Sequence, residues 1–185
     1  MPPSWGANAL IHPPRRPVTT TPAGRYEKVD LDVGIHLRGW LFRTQRARRG
    51  LVVYLHGIGD NRASGIGIAQ HFNALGFDVL AYDSRAHGES GGDACTYGFY
   101  EKKDLSRAID RLGGGPVLAF GISLGAAVAL QSAADDPRIA LVVAVSAFSD
   151  LRTVAAERAP FFASRGNIAE AFRLAEARLP FGPTT

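Results

Sequence analysis

Cysteine is almost missing from this 185-residue chain. Cys95 stands alone, so no internal disulfide can form, and with no flanking motif it reads as an inert thiol rather than a nucleophile. Long apolar runs are missing too: none approaches the ~20 residues that a helical membrane span requires. Residues Met1 to Ala23 show no charged stretch followed by an apolar one, so no cleavable secretory leader is visible. Localisation stays open on this reading, cytoplasmic by default and membrane-associated if an N-terminal anchor has been lost. No G-x-G-x-x-G follows any predicted strand, which removes dinucleotide binding, and no cofactor or metal site is expected. The net charge is +4 and the pI near 9.6, yet among the basic residues only Arg46, Arg48 and Arg49 form a tight group. Without interleaved aromatics or a nucleic-acid motif, that group reads as a solvated turn, and no nucleic-acid partner is expected. Histidine is confined to the first half: His12, His36, His56, His71 and His87, and none after.

What is present suits one globular domain. A chain of this length can bury roughly 70% of its unfolded surface, and 46% hydrophobic with 21% charged residues argues against disorder. Residues 1–24 form a Pro-rich arm, expected to lie extended on the domain or partly loose, and 25–185 carry the fold. Tyr26 to Val33 and Ile35 to Phe42 alternate like two antiparallel strands turning at Gly34, with His36 facing outward. Leu51 to Leu55 is a continuous apolar run typical of a central parallel strand, and the chain from His56 to Ser64 must then be a loop. A helix around Ile68 to Leu75 follows, with His71 on its polar side, and then a strand over Phe77 to Tyr82. A Gly-rich loop, Asp83 to Gly98, leads to an amphipathic helix with Leu105, Ala108, Ile109 and Leu112 on one face. Ile139 to Val145 is again strand-like, and two helical segments, cap-like from about 151, close the chain. Strands alternating with helices after an antiparallel pair mean an α/β fold with a mostly parallel, doubly wound sheet. Right-handed crossovers then bring the loops at His56, Asp83, Ser123 and Ser146 to one sheet edge.

Chemistry concentrates at Pro116 to Leu130. A short apolar strand, Val117 to Phe120, runs into Gly121-Ile122-Ser123-Leu124-Gly125 and then an Ala-rich helix. A serine raised on a sharp strand-to-helix turn needs almost no side chain two residues before and after it, and Gly121 and Gly125 meet that need. Ser123 is therefore a candidate nucleophile, and its plainer reading is a helix N-cap. A second glycine-bearing turn, His56-Gly57-Ile58-Gly59-Asp60-Asn61, follows the central strand. The backbone N–H groups of Ile58 and Leu124 are the candidate oxyanion donors.

These residues resemble the alpha/beta-hydrolase superfamily, and in particular its serine aminopeptidase, monoacylglycerol lipase and lysophospholipase-like branch. The likeness rests on His56-Gly-Ile-Gly59, Tyr82-Asp-Ser-Arg-Ala-His-Gly-Glu-Ser90 and Gly121-Ile-Ser-Leu-Gly125, and it covers roughly Arg25 to Leu151. The arm from Trp5 to Pro17 also looks like the leader of some bacterial members. The resemblance implies a serine hydrolase acting on an ester, thioester or amide of a small-molecule acyl substrate. It also implies that Arg85, His87 and Ser90 are architecture. Chain order in the family is Ser, then acid, then His, and here no histidine follows Ser123. Asp150 is the one acid in a family-compatible position, its plainer role being a cap for the helix at Leu151. The expectation is a hydrolase lacking its last strands, with an open sheet edge prone to association. The rival expectation is a non-catalytic chain that binds an acyl ligand or a partner.

Overall fold

The computed structural model describes residues 2–158 and 164–180. Strands β1 (Glu27–Asp32) and β2 (His36–Phe42) pair antiparallel from Glu27 opposite Leu41 to Asp32 opposite His36. Gly34 closes the turn between them at φ 94°, where a residue with a Cβ would be strained. Then come β3 (Leu51–Leu55), β4 (Asp78–Tyr82), β5 (Val117–Ile122) and β6 (Ile139–Val145), in a single sheet ordered β1-β2-β4-β3-β5-β6. β2 meets β4 antiparallel, and β4, β3, β5 and β6 run parallel. The fold is therefore the expected α/β sheet, mostly parallel with an antiparallel opening. Every residue of β3 and β4 is buried because both sheet faces are covered there. β5 continues to Ile122, two residues beyond the apolar run that marks it in the sequence.

The helices are α1 (Pro3–Ile11), α2 (Ile66–Ala74), α3 (Glu101–Leu112), α4 (Leu124–Asp135), α5 (Leu151–Arg158) and α6 (Arg165–Glu176). On one face of the sheet Leu37, Val53, Leu80, Leu105, Ile109 and Val128 make the larger core, with α3 and α4 above it. On the other, Trp40, Phe42, Val52 and Val79 meet Ala69 and Phe72 of α2. A 3-10 turn at Arg62–Gly65 leads into α2, so the loop expected from His56 to Ser64 ends at Asn61, whose side chain caps the turn.

Two expectations need correction. The arm is not extended throughout, because Pro3–Ile11 is helical. Proline at its start suits a first helical turn, and Ala7 and Ile11 bury beside Ala175 of α6. Gly6 lets the two helices close up, since a Cβ there would lie 2.9 Å from that of Ala171. Nor is the basic turn merely solvated. Arg48 Nε and Arg43 donate to the buried Asp78 carboxylate at 2.9 and 3.0 Å, and the Thr44 N–H adds a third bond at 2.9 Å. Burial alone would raise the Asp78 pKa, but the Thr44 N–H and the two guanidinium groups outweigh it and hold the carboxyl low. Residues 159–163 and 181–185 of the expected C-terminal region lie outside the described residues.

Candidate active site

One residue separates β5 from α4. Ser123 joins them at φ 51°, ψ −110°, a conformation that costs a non-glycine residue about 1–3 kcal/mol. Its N–H donates to Val145 O at 2.9 Å, and its carbonyl accepts from Ala127 N–H at 3.1 Å, which starts the helix. A Cβ on Gly121 would come under 3.0 Å of the Gly125 backbone, and one on Gly125 under 3.0 Å of the Leu55 and His56 carbonyl oxygens. The glycine frame is thus enforced by backbone contact: the start of α4 rests on the end of β3. Ala86, Tyr97 and Ser146 share Ser123's positive φ, and all four lie in segments leaving the same edge of the parallel strands.

The loop after β3 borders the elbow. A Cβ on Gly57 would lie 3.7 Å from that of Ser123. Leu124, as the first residue of α4, has no intrahelical acceptor for its N–H. Among the described residues no hydrogen bond occupies the N–H of Leu124 or of Ile58. His56 fixes the loop's root. Its Nε2 accepts from Ser84 N–H at 3.0 Å, so the proton resides on Nδ1, which donates to Gly57 O at 2.7 Å. Burial holds this ring's pKa down, keeping it neutral.

Farther along the loop, Asn61 accepts from Ala63 N–H at 3.0 Å and donates to the Arg16 and Pro17 carbonyls of the arm, each at 3.3 Å. The buried Arg62 lies over the Trp40 ring at 4.8 Å and bonds Asp83 and Glu89. Asp83 also accepts from Arg62 N–H at 2.7 Å and Glu89 N–H at 2.9 Å, tying the loops after β3 and β4 together. Pro14 packs over Gly59, and Arg15 reaches the Ser90 carbonyl at 2.5 Å and that of Gly92. Arg15 and Arg62 carry no motif signal, while Asn61 ends the turn His56 to Asn61 and Asp83 lies inside the segment Tyr82 to Ser90.

Within that segment Arg85 makes two bonds to Asp104, at 2.7 and 2.9 Å, and Ser90 Oγ donates to Asp83 O at 2.6 Å while accepting from Arg38 N–H. His87 is buried, its Nδ1 donating to Arg85 O at 2.8 Å, and Nε2 has no partner among the described residues. Burial first, and His56 with its ring centroid 5.0 Å away second, push its pKa down to about 4. His12 bonds Asp93 O, His36 bonds Asp30, and exposed His71 leans edge-on against Phe72. None of the five rings hydrogen-bonds Ser123. Asp150 uses its carboxylate to accept from Arg152 N–H at 3.0 Å and from Thr153 N–H at 2.9 Å, the cap of α5. Cys95 is fully buried, and burial raises its thiol pKa. Among the described residues no group of three or more His, Cys, Asp or Glu could hold a metal ion, and no helix is long and apolar enough to cross a membrane.

The family model described as alpha/beta hydrolase fold matches residues 50–184, and the chain belongs to that family. It is 38% identical to YqkD of Bacillus subtilis over 84 residues, 43% of this chain and 28% of that one. With Rv2307c of Mycobacterium tuberculosis it shares 32% identity over 151 residues, 78% of this chain and 53% of that one. It therefore spans about half the length, or less, of these relatives. Among solved structures, the Pyrococcus furiosus esterase Pf2001 superposes with a TM-score of 0.75 at 27% identity, covering 88% of this chain and 68% of that one.

Proposed function

We propose that this chain is a serine hydrolase acting on an ester, thioester or amide bond of a small-molecule acyl substrate, with Ser123 as nucleophile. In this reading Ser123 Oγ attacks the acyl carbonyl, and the N–H groups of Ile58 and Leu124 stabilise the oxyanion. We further place it in the serine aminopeptidase, monoacylglycerol lipase and lysophospholipase-like branch, on its three motifs. The observation that carries the proposal is the positive φ of Ser123 between β5 and α4, kept by Gly121 and Gly125 against backbone. A strained residue held this way fits a reactive group better than a cap, since no side-chain cap bond from Ser123 exists. The esterase likeness supports hydrolysis of an ester.

The base is not among the five histidines in this reading, and Asp150 serves α5 better than it serves as the acid. Loss of a triad member leaves the residual ~10³ to 10⁴-fold over water that binding and the oxyanion hole supply. That none of the five histidines hydrogen-bonds Ser123 favours a second reading, a non-catalytic chain that binds an acyl ligand or a partner. A labelled fluorophosphonate separates the two. Stoichiometric labelling that vanishes in Ser123→Ala supports the hydrolase; a folded chain that stays unlabelled supports the second reading.

A further inference from the structure

We propose that Arg15 and Asn61 are positioning residues for the loop after β3, acting through the arm that both of them hold; the inference rests on the reading of Ser123 as nucleophile and of the Ile58 N–H as an oxyanion donor. The loop has little of its own to fix its tip. Beyond the bond from His56 to Gly57 O at the root, one backbone bond closes the turn, Asp60 N–H to Gly57 O at 3.2 Å. Ile58 is 39% exposed, so burial of its own side chain does not anchor it. The arm supplies support from outside. Pro14 Cγ and Cδ lie 3.3 and 3.6 Å from where a Cβ on Gly59 would sit, so the arm rests on the residue that follows Ile58. At φ 65° a side chain on Gly59 would be strained and would press on the arm as well. Two residues on, Asn61 Nδ2 donates to the Arg16 and Pro17 carbonyls while its Oδ1 caps Ala63 N–H.

The arm can brace the loop because it is itself fixed. The Tyr97 hydroxyl donates to Leu10 O at 2.8 Å, Cys95 N–H to Ile11 O at 2.9 Å, and His12 Nδ1 to Asp93 O at 2.7 Å. Arg15 then bridges to the carbonyls of Ser90 and Gly92. Pro13 and Pro14 fix φ between these anchors, so little chain freedom remains to be lost there. Arg15 thus ties the arm to the segment after β4, and Asn61 ties it to the loop after β3, with Pro14 pressed on Gly59 between them. Releasing either bond frees one side of that clamp. Asn61→Ser separates the two duties of its residue: a serine hydroxyl still caps Ala63 N–H, but it offers the arm carbonyls no amide donor.

Saturation kinetics of a labelled fluorophosphonate on the full chain test this. The bond from Ser123 Oγ to phosphorus forms as the phosphorus–fluorine bond breaks, fluoride leaves, and the serine proton passes to water. The phosphoryl oxygen takes the oxyanion position, so lost positioning lowers the maximal labelling rate and leaves the half-saturating concentration unchanged. Removing an oxyanion donor outright costs ~10²–10³-fold, and a loosened one is expected to cost ~10-fold, in Arg15→Ala and in Asn61→Ser alike. Should Asn61→Ser fail to give a native circular dichroism spectrum, Arg15→Ala alone decides. A maximal rate unchanged in either folded variant, or a loss carried by the half-saturating concentration, overturns the inference and leaves the hydrolase reading standing. A wild-type chain that stays unlabelled overturns both.

Discussion

Ser123 and its glycine neighbours divide two kinds of cost. The serine bears a conformational penalty that glycine would not, so Ser123→Gly should be more stable than Ser123→Ala by about 1–2 kcal/mol in urea denaturation. Equal stability of the two would show that φ 51° stores nothing. Gly125→Ala meets the Leu55 and His56 carbonyls, which belong to the sheet and cannot swing aside, and should cost upwards of ~3 kcal/mol. The Gly121–Gly125 frame around Ser123 was legible in the sequence because it acts within five residues, whereas the contact of Gly125 with Leu55 and His56, about 70 residues away, was not. Nor was the role of His56, because its tautomer is set by Ser84, on a different loop. Its neighbour His87 carries a pH prediction. A folded pKa of about 4 against ~6.5 unfolded means the unfolded chain binds more protons between those values. Stability is then fully present above ~6.5 and lost as pH falls towards 4, by on the order of 3 kcal/mol. His87→Gln should flatten the slope of urea midpoint against pH, and a wild-type midpoint that rises on acidification would refute the sign.

At the scale of elements, β3 and β6 match their sequence boundaries because a buried parallel strand writes itself as an unbroken apolar run. α1 left no such trace. Its nine residues are stabilised by α6, more than 150 residues away, and only Ala7 and Ile11 are buried. The extended chain after it straps the loops that follow β3 and β4 through Pro14, Arg15 and the carbonyls of Arg16 and Pro17. Arg15→Ala should speed amide hydrogen exchange ~10-fold at Gly57 to Asn61 and Ser90 to Cys95 while leaving β5 and β6 unchanged. Unaltered exchange at Gly57 to Asn61 would mean the arm merely rests on the loop.

For the whole molecule, the mostly parallel sheet with its antiparallel opening was readable from alternation and crossover rules, whereas the strand order and the joining of the loops through Arg62 and Asp83 depend on contacts that no local pattern encodes. Taken together, the positions of the histidines predict turnover of p-nitrophenyl esters no greater than the residual ~10³ to 10⁴-fold over water that needs no base. Ser123-dependent turnover abolished by His56→Ala or His87→Ala would reveal a base that the present geometry does not supply. Ala86, Tyr97, Ser123 and Ser146, the four non-glycine residues with positive φ among the described residues, lie in segments that leave one edge of the parallel strands. Selection for heat resistance would find its easiest gains there, by glycine replacement. At Ser123, the nucleophile of the proposed reading, that gain would remove the hydroxyl on which the proposed reactivity depends, so robustness and reactivity would compete for one residue.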